Sequence, residues 1–156
     1  MKIEVGQKAP EFTLRNTDKK EVALKDLHNK KVVLLFFPLA FTSVCTAELC
    51  SVRDNLNYYN NLDAEVFGIS VDSPQTLNRF KQEQELNFAL LSDFNKEVSV
   101  AYGCLYDTFS GWMKGVSKRA AFVIDKTGII RYAEVLENAG EQPNFIAIHQ
   151  VLESID

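Results

Sequence analysis

Apolar positions along this chain come in short blocks, some continuous and some at helical spacing. Val32 to Phe37 is an unbroken apolar run, the pattern of a central strand covered on both faces, and Pro38 ends it. Glu65 to Val71 reads as a second buried strand. Phe12-Thr13-Leu14, a polar turn through Asn16-Thr17-Asp18, and Val22-Ala23-Leu24 predict an N-terminal hairpin. Ala121 to Ile124 and Ile129 to Val135 predict two more strands around the turn Asp125-Lys126-Thr127-Gly128. Leu49, Val52, Leu56 and Tyr59 stand at i, i+3, i+7 and i+10, predicting a helix from near Cys45 to about Leu62, with Cys45 one turn earlier on the same face. Ser73-Pro74 supplies an N-cap and a proline at the first helical position, and Leu77 and Phe80 mark that helix's buried side. A short helix around Val98, Ala101 and Tyr102 follows Leu91-Ser92-Asp93-Phe94, and a last helix carries Phe145, Ile148, Leu152 and Ile155 on one stripe.

No repeat or linker interrupts this order, so residues 1–156 are expected to form one domain. Strand, helix, strand, helix, hairpin and final helix is the order of a thioredoxin-like α/β fold: a central mixed sheet flanked by helices, here with an N-terminal hairpin. Order does not fix function. The net charge of −4 shows no basic excess, so nucleic acid is not an expected partner. The apolar runs are strand-sized, short of the roughly 20 residues of a membrane helix, so no membrane association is expected. The first residues carry no secretory pattern, and a cytoplasmic location is the expectation.

The chain has three cysteines, Cys45, Cys50 and Cys104. In a reducing compartment they point to free thiols, a transient catalytic disulfide or plain burial, not to a disulfide framework. His28 and His149 lie too far away in sequence for zinc-ligand spacing, and no metal or cofactor is expected. The informative stretch runs from Phe37-Pro38 through Thr42 to Cys45, directly after the central strand and at a helix start, where ligand chemistry in open α/β sheets tends to sit. A helix N-terminus presents unpaired N–H groups and partial positive charge, which favour a thiolate. Thr42, three residues earlier, can bring its hydroxyl beside the sulfur, and Pro38 restricts the loop.

The same residues carry a resemblance. Pro38, Thr42 and Cys45 fill the Pro-x-x-x-Thr-x-x-Cys signature of the peroxiredoxins, of the AhpC/TSA family. Gly6 to Leu14, Leu91 to Phe94, Ala101-Tyr102-Gly103, and Arg119 to Asp125 followed by Gly128 to Arg131 resemble further blocks of that family in the right order. The resemblance implies a thiol peroxidase that reduces hydrogen peroxide and organic hydroperoxides through Cys45, with Arg119 as the arginine that reaches it. An arginine opening an apolar strand fits that role, although spacing alone does not separate Arg119 from Arg53 or Arg131. Lowering a thiol pKa from about 8.5 to about 6 takes about 3.4 kcal/mol. A helix terminus offers roughly 2 kcal/mol at best, so a thiolate of that kind requires a positive side chain as well.

Cys45 and Cys50 in an intact helix stand about 140° apart around the axis, with Cα atoms roughly 8.6 Å apart. A disulfide needs about 7 Å or less, so the helix must open before they join. The Q-type, or bacterioferritin-comigratory, peroxiredoxins are similar here and imply that Cys50 resolves the sulfenic acid, with thioredoxin or another dithiol as recycling partner. Phe94, Trp112-Met113 and Arg131 to Glu134 resemble the alkyl hydroperoxide reductase E type, which usually lacks this second cysteine. Resolution by an external thiol therefore stays open, as does a redox sensor or holdase that does not turn over. Glu48 can pair with Arg53 or Arg119, or sit on a solvated face. Cys104 is expected in the core, with a backup resolving role as the alternative. Trp112 and Phe41 are expected in core or interface packing, the alternative being an apolar collar for peroxide tails. His149 is expected to be structural. Monomer and small homodimer both remain open.

Overall fold

A computed structural model describes residues 2–27 and 29–156, so Met1 and His28 lie outside the described residues. Seven strands, β1 (Thr13–Asn16), β2 (Glu21–Ala23), β3 (Lys31–Phe36), β4 (Ala64–Ser70), β5 (Ala89–Ser92), β6 (Arg119–Ile124) and β7 (Ile130–Leu136), form one sheet. Their order is β2-β1-β5-β4-β3-β6-β7. β3, β4 and β5 run parallel, while β1–β2, β1–β5, β3–β6 and β6–β7 are antiparallel. The helices are α1 (Ser43–Asp54), α2 (Leu56–Asn61), α3 (Pro74–Glu83), α4 (Glu97–Ala101) and α5 (Phe145–Ser154), with a 3-10 turn over Leu24–Leu27.

Alternation along the strands sorts the core into two halves. Val33, Leu35, Val66, Ala121 and Val123 face α1, α2, α3 and α5. Val32, Leu34, Phe36, Ile69 and Phe122 face α4, the 3-10 turn and the N-terminal segment. Every residue of β3 and β6 is buried, as a strand covered on both sides requires. Lys31, which opens β3, satisfies its buried ammonium by donating to the Leu152 carbonyl of α5 at 2.9 Å. In β4, Gly68 lets Leu90 and Phe37 close over the strand: a Cβ there would stand 2.7 Å from Leu90 Cδ2 and 3.3 Å from Phe37 Cε1.

Two elements differ from the pattern-based reading. The helix expected to run from Cys45 to about Leu62 breaks at Asn55, whose φ of −121° leaves the helical region. Its side-chain amide donates to Ser51 O at 2.8 Å, taking the acceptor that its own backbone N–H would use in a continuous helix. The short apolar run at Ala89–Ser92 is a third parallel strand beside β4, a length at which periodicity does not declare the element. The one cap expected from the sequence is present: Ser73 Oγ accepts from Thr76 N at 3.1 Å, with Pro74 opening α3. Asn144 plays the same part for α5, accepting from Ala147 N.

Candidate active site

The carboxyl ends of β3, β4 and β5 share one end of the sheet with the start of antiparallel β6. There Phe37 N makes a last ladder bond to Ile69 O, and Pro38, which has no N–H, ends the pairing. The loop that follows is fastened from the neighbouring strand end. Asp72 Oδ2 accepts from Ala40 N at 2.8 Å and from Ser70 Oγ at 2.7 Å. Phe41 sits in the left-handed region at φ 67°, a conformation costing on the order of 1–3 kcal/mol outside glycine. Its half-exposed ring meets Phe80 edge-on at 5.2 Å.

Thr42 is the N-cap of α1 in extended conformation, and its side chain does not cap the helix. The hydroxyl donates to Leu39 O at 2.8 Å, with no hydrogen bond joining it to the Cys45 sulfur among the described residues. The first-turn N–H groups of α1 thus keep the positive end of the helix dipole free of a side-chain acceptor. Cys45 lies in that turn, 1% exposed.

Arg119 opens β6, and the strand's two-residue period places it with Ala121 and Val123 on the α1 side of the sheet. Its Nη2 donates to Cys45 Sγ at 3.2 Å and to Ala139 O at 2.9 Å, its Nη1 to Glu48 Oε1 at 2.6 Å, and its Nε to Ala139 O at 3.3 Å. Glu48, one turn after Cys45, is fully buried, and its second oxygen, Oε2, has no partner among the described residues. Burial pushes its carboxyl up to about 7, against the opposing pull of Arg119. Burial acts to lower the Arg119 pKa, but Glu48 and Cys45 outweigh it and the net direction is upward. One cation thus serves two acidic groups in a nearly dry site, where charge interactions are strong.

Arg119 therefore joins Cys45 and Glu48 in one cluster, while Pro38 and Thr42 lie in the loop that leads from β3 into α1. Arg53 is not part of this group. It falls five residues after Glu48, about 140° around the helix, and instead binds Asp54 Oδ1 at 2.9 Å and Gln84 O at 2.5 Å. Cys50 stays in the same unbroken helix, half-buried, its thiol donating to Gln84 Oε1 at 3.6 Å, and all three cysteines are free. Cys104 is in the core, as expected, but on the opposite side of the sheet from Cys45, and burial pushes its thiol pKa up. Trp112 is not a core residue: it is 74% exposed, in the irregular segment before β6. His149 has the expected structural role, with Nε2 3.0 Å from Tyr59 OH and burial holding its pKa down.

Two contributors escape a reading of the sequence. Asp72 acts across 32 positions, and the Ala139 carbonyl across 20, separations at which no local pattern links partners. The Asn138-Ala139-Gly140 stretch does carry turn chemistry, seen as Gly140 N donating to Asn138 Oδ1, but that locates a turn and not its target. Among the described residues no group of three or more His, Cys, Asp or Glu side chains converges as a metal site. No described helix is long and apolar enough to cross a membrane.

Comparison with known proteins gives a consistent picture. The AhpC/TSA family model matches residues 5–133. Alkyl hydroperoxide reductase E of Mycobacterium tuberculosis is 40% identical over 136 residues, covering 85% of this chain and 86% of that protein. The putative peroxiredoxin bcp of Coxiella burnetii is 42% identical over 132 residues, covering 83% and 87%. The crystal structure of peroxidoxin BcpB from M. tuberculosis superposes with a TM-score of 0.86 at 26% identity, over 99% of both chains. The thioredoxin-like α/β arrangement expected from the element order is present.

Proposed function

The chain belongs to the AhpC/TSA family and is a thiol-dependent peroxidase of the peroxiredoxin class, and on that premise we propose that Cys45 is its peroxidatic residue. The observation that carries this reading is the 3.2 Å contact from Arg119 Nη2 to Cys45 Sγ at an uncapped helix N-terminus. The Cys45 thiolate attacks one oxygen of a hydroperoxide. A sulfur–oxygen bond forms as the O–O bond breaks, and the departing oxygen takes the electron pair and a proton from solvent, the equivalent of the one the thiol gave up on ionising, leaving as water or an alcohol. Cys45 is oxidised to the sulfenic acid and the peroxide is reduced. Negative charge moves from sulfur to the leaving oxygen in this step. Arg119, held by Glu48 and by the Ala139 carbonyl, is placed to stabilise it without reorganising. The Thr42 hydroxyl spends its proton on Leu39 O and keeps lone pairs to accept from the peroxide O–H, while Pro38 walls the loop.

Cys50 then resolves the sulfenic acid. The Sγ–Sγ bond forms, the S–O bond breaks, and the hydroxyl leaves as water with the Cys50 proton. A dithiol such as thioredoxin reduces the disulfide, which suits a reducing compartment such as the cytoplasm. Because both cysteines lie inside α1, the helix must open first. That cost is what favours the second reading, resolution by an external thiol. Intact-mass analysis after one equivalent of hydrogen peroxide separates the two. Wild type is expected to lose two hydrogens, and Cys50→Ser to hold a sulfenic acid on Cys45. A stable sulfenic acid in wild type selects the external thiol, and no oxidation of either protein rejects Cys45 as the reacting residue.

A further inference from the structure

The two ends of α1 are held by different partners. The end with Cys45 is tied to β6 through Arg119, which contacts the sulfur itself. The end with Cys50 is tied to the turn after α3. Cys50 Sγ donates to Gln84 Oε1 at 3.6 Å, Arg53 Nη1 to Gln84 O at 2.5 Å, and Asn87 Nδ2 to Arg53 O at 3.2 Å. That turn is itself well fixed. Gln84 N bonds Phe80 O, Leu86 N bonds Lys81 O across Glu85 at φ 51°, and Lys81 Nζ bonds Phe88 O. Oxidation of Cys45 alters the contact at the first end, because the sulfur that accepts from Arg119 now carries a hydroxyl. None of the contacts at the second end involves Cys45.

We propose that Gln84 is a positioning residue that latches Cys50 to α3, so that release of the Cys50 thiol from Gln84 gates closure of the Cys45–Cys50 disulfide. This rests on the reading of Cys50 as the resolving cysteine. Opening begins at the Cys45 end, since the Cys50 end keeps its three hydrogen bonds. Cys50 must still turn away from Gln84 to reach a sulfur on the other side of the helix. While it waits, the Cys45 sulfenic acid is exposed to a second peroxide molecule, which oxidises it to the sulfinic acid and is itself reduced to water or alcohol. The latch thus sets the partition between productive closure and inactivation. Arg53, fastened to the same glutamine and within electrostatic reach of Cys50, stays beside the thiol as it is freed.

Rapid-quench intact-mass measurements on wild type, Gln84→Met and Gln84→Glu test this. The first-order closing step is read separately from the bimolecular oxidation of Cys45. Methionine keeps the length of the side chain and lacks the carbonyl acceptor, whereas glutamate retains an oxygen acceptor. Loss of a weak hydrogen bond at the low end of the usual range predicts closure about threefold faster in Gln84→Met, and about threefold more peroxide needed for half-conversion to sulfinic acid. Gln84→Glu is expected to close no faster than wild type, since a charged acceptor holds the thiol at least as firmly, and to need no more peroxide for half-conversion. A Gln84→Met rate equal to or below wild type overturns the latch, as does a Gln84→Glu rate matching Gln84→Met. If wild type forms no intramolecular disulfide, the resolving role of Cys50 fails and the latch falls with it. If the disulfide forms at a rate indifferent to residue 84, the latch alone fails.

Discussion

Glu48 has one carboxylate oxygen on Arg119 and the other buried without a partner, so its protonation is set by two opposed effects. Burial dominates and raises the carboxyl from its ordinary 4.5 to about 7. In the unfolded chain the proton leaves near the ordinary value, while the folded protein keeps it until near neutrality. Between those pH values the unfolded state binds fewer protons, so this group's contribution to stability falls as pH rises and levels off above about 7. The ceiling on that loss is on the order of 3 kcal/mol. Chemical denaturation of wild type and Glu48→Gln between pH 4.5 and 8 measures it, and the difference between the two proteins should change in that direction across the window. A flat difference would mean that Arg119 holds the carboxylate ionised throughout. At this scale the sequence places Glu48 one turn from Cys45 on α1. It leaves the choice between Arg53 and Arg119 open, because the deciding fact is which strand end lies across from the helix.

Elements whose pattern was long and unmixed were legible. β3 follows from its unbroken apolar run, α3 from Ser73-Pro74, and the start of α1 from its place after Pro38. The break at Asn55 and strand β5 were not, since one depends on a side chain competing with the backbone and the other on four residues gaining partners only in the sheet. The loop between β3 and α1 shows the same limit. Its signature residues are evident, yet its shape depends on Asp72 from the end of β4. Asp72→Ala leaves the Ala40 N–H and the buried Ser70 hydroxyl without their acceptor, a loss of about 1–3 kcal/mol. It also frees the loop to relax the left-handed Phe41 conformation. Thermal denaturation should show the destabilisation, and peroxidase assays at a temperature where the variant remains folded should show a lower kcat/KM. Full activity in a destabilised variant would confine Asp72 to a structural role.

Across the whole molecule the sheet divides the thiols. Cys45 and Cys50 lie with the α1, α2, α3 and α5 layer, and Cys104 lies with the α4 layer behind β3 and β6. Period-two alternation made the facing of strand residues readable from sequence, but Cys104 sits in a non-strand segment where no period applies. Its carbonyl and amide are bonded to Lys118 N and Ser99 O, and burial keeps its thiol protonated. Cys45 and Cys104 pack on opposite faces of the sheet. A disulfide between them requires the Cys104 segment to give up its bonds to Lys118 and Ser99 and leave the core, more than the opening of one helix. Peroxide treatment of Cys50→Ser in native buffer should therefore leave a sulfenic acid and no internal crosslink. The same protein held above its denaturation midpoint should become competent to join residues 45 and 104. A crosslink forming at native rates would mean that the Cys104 segment detaches from the core while the sheet stays intact, and Cys104 would then be a second resolving thiol.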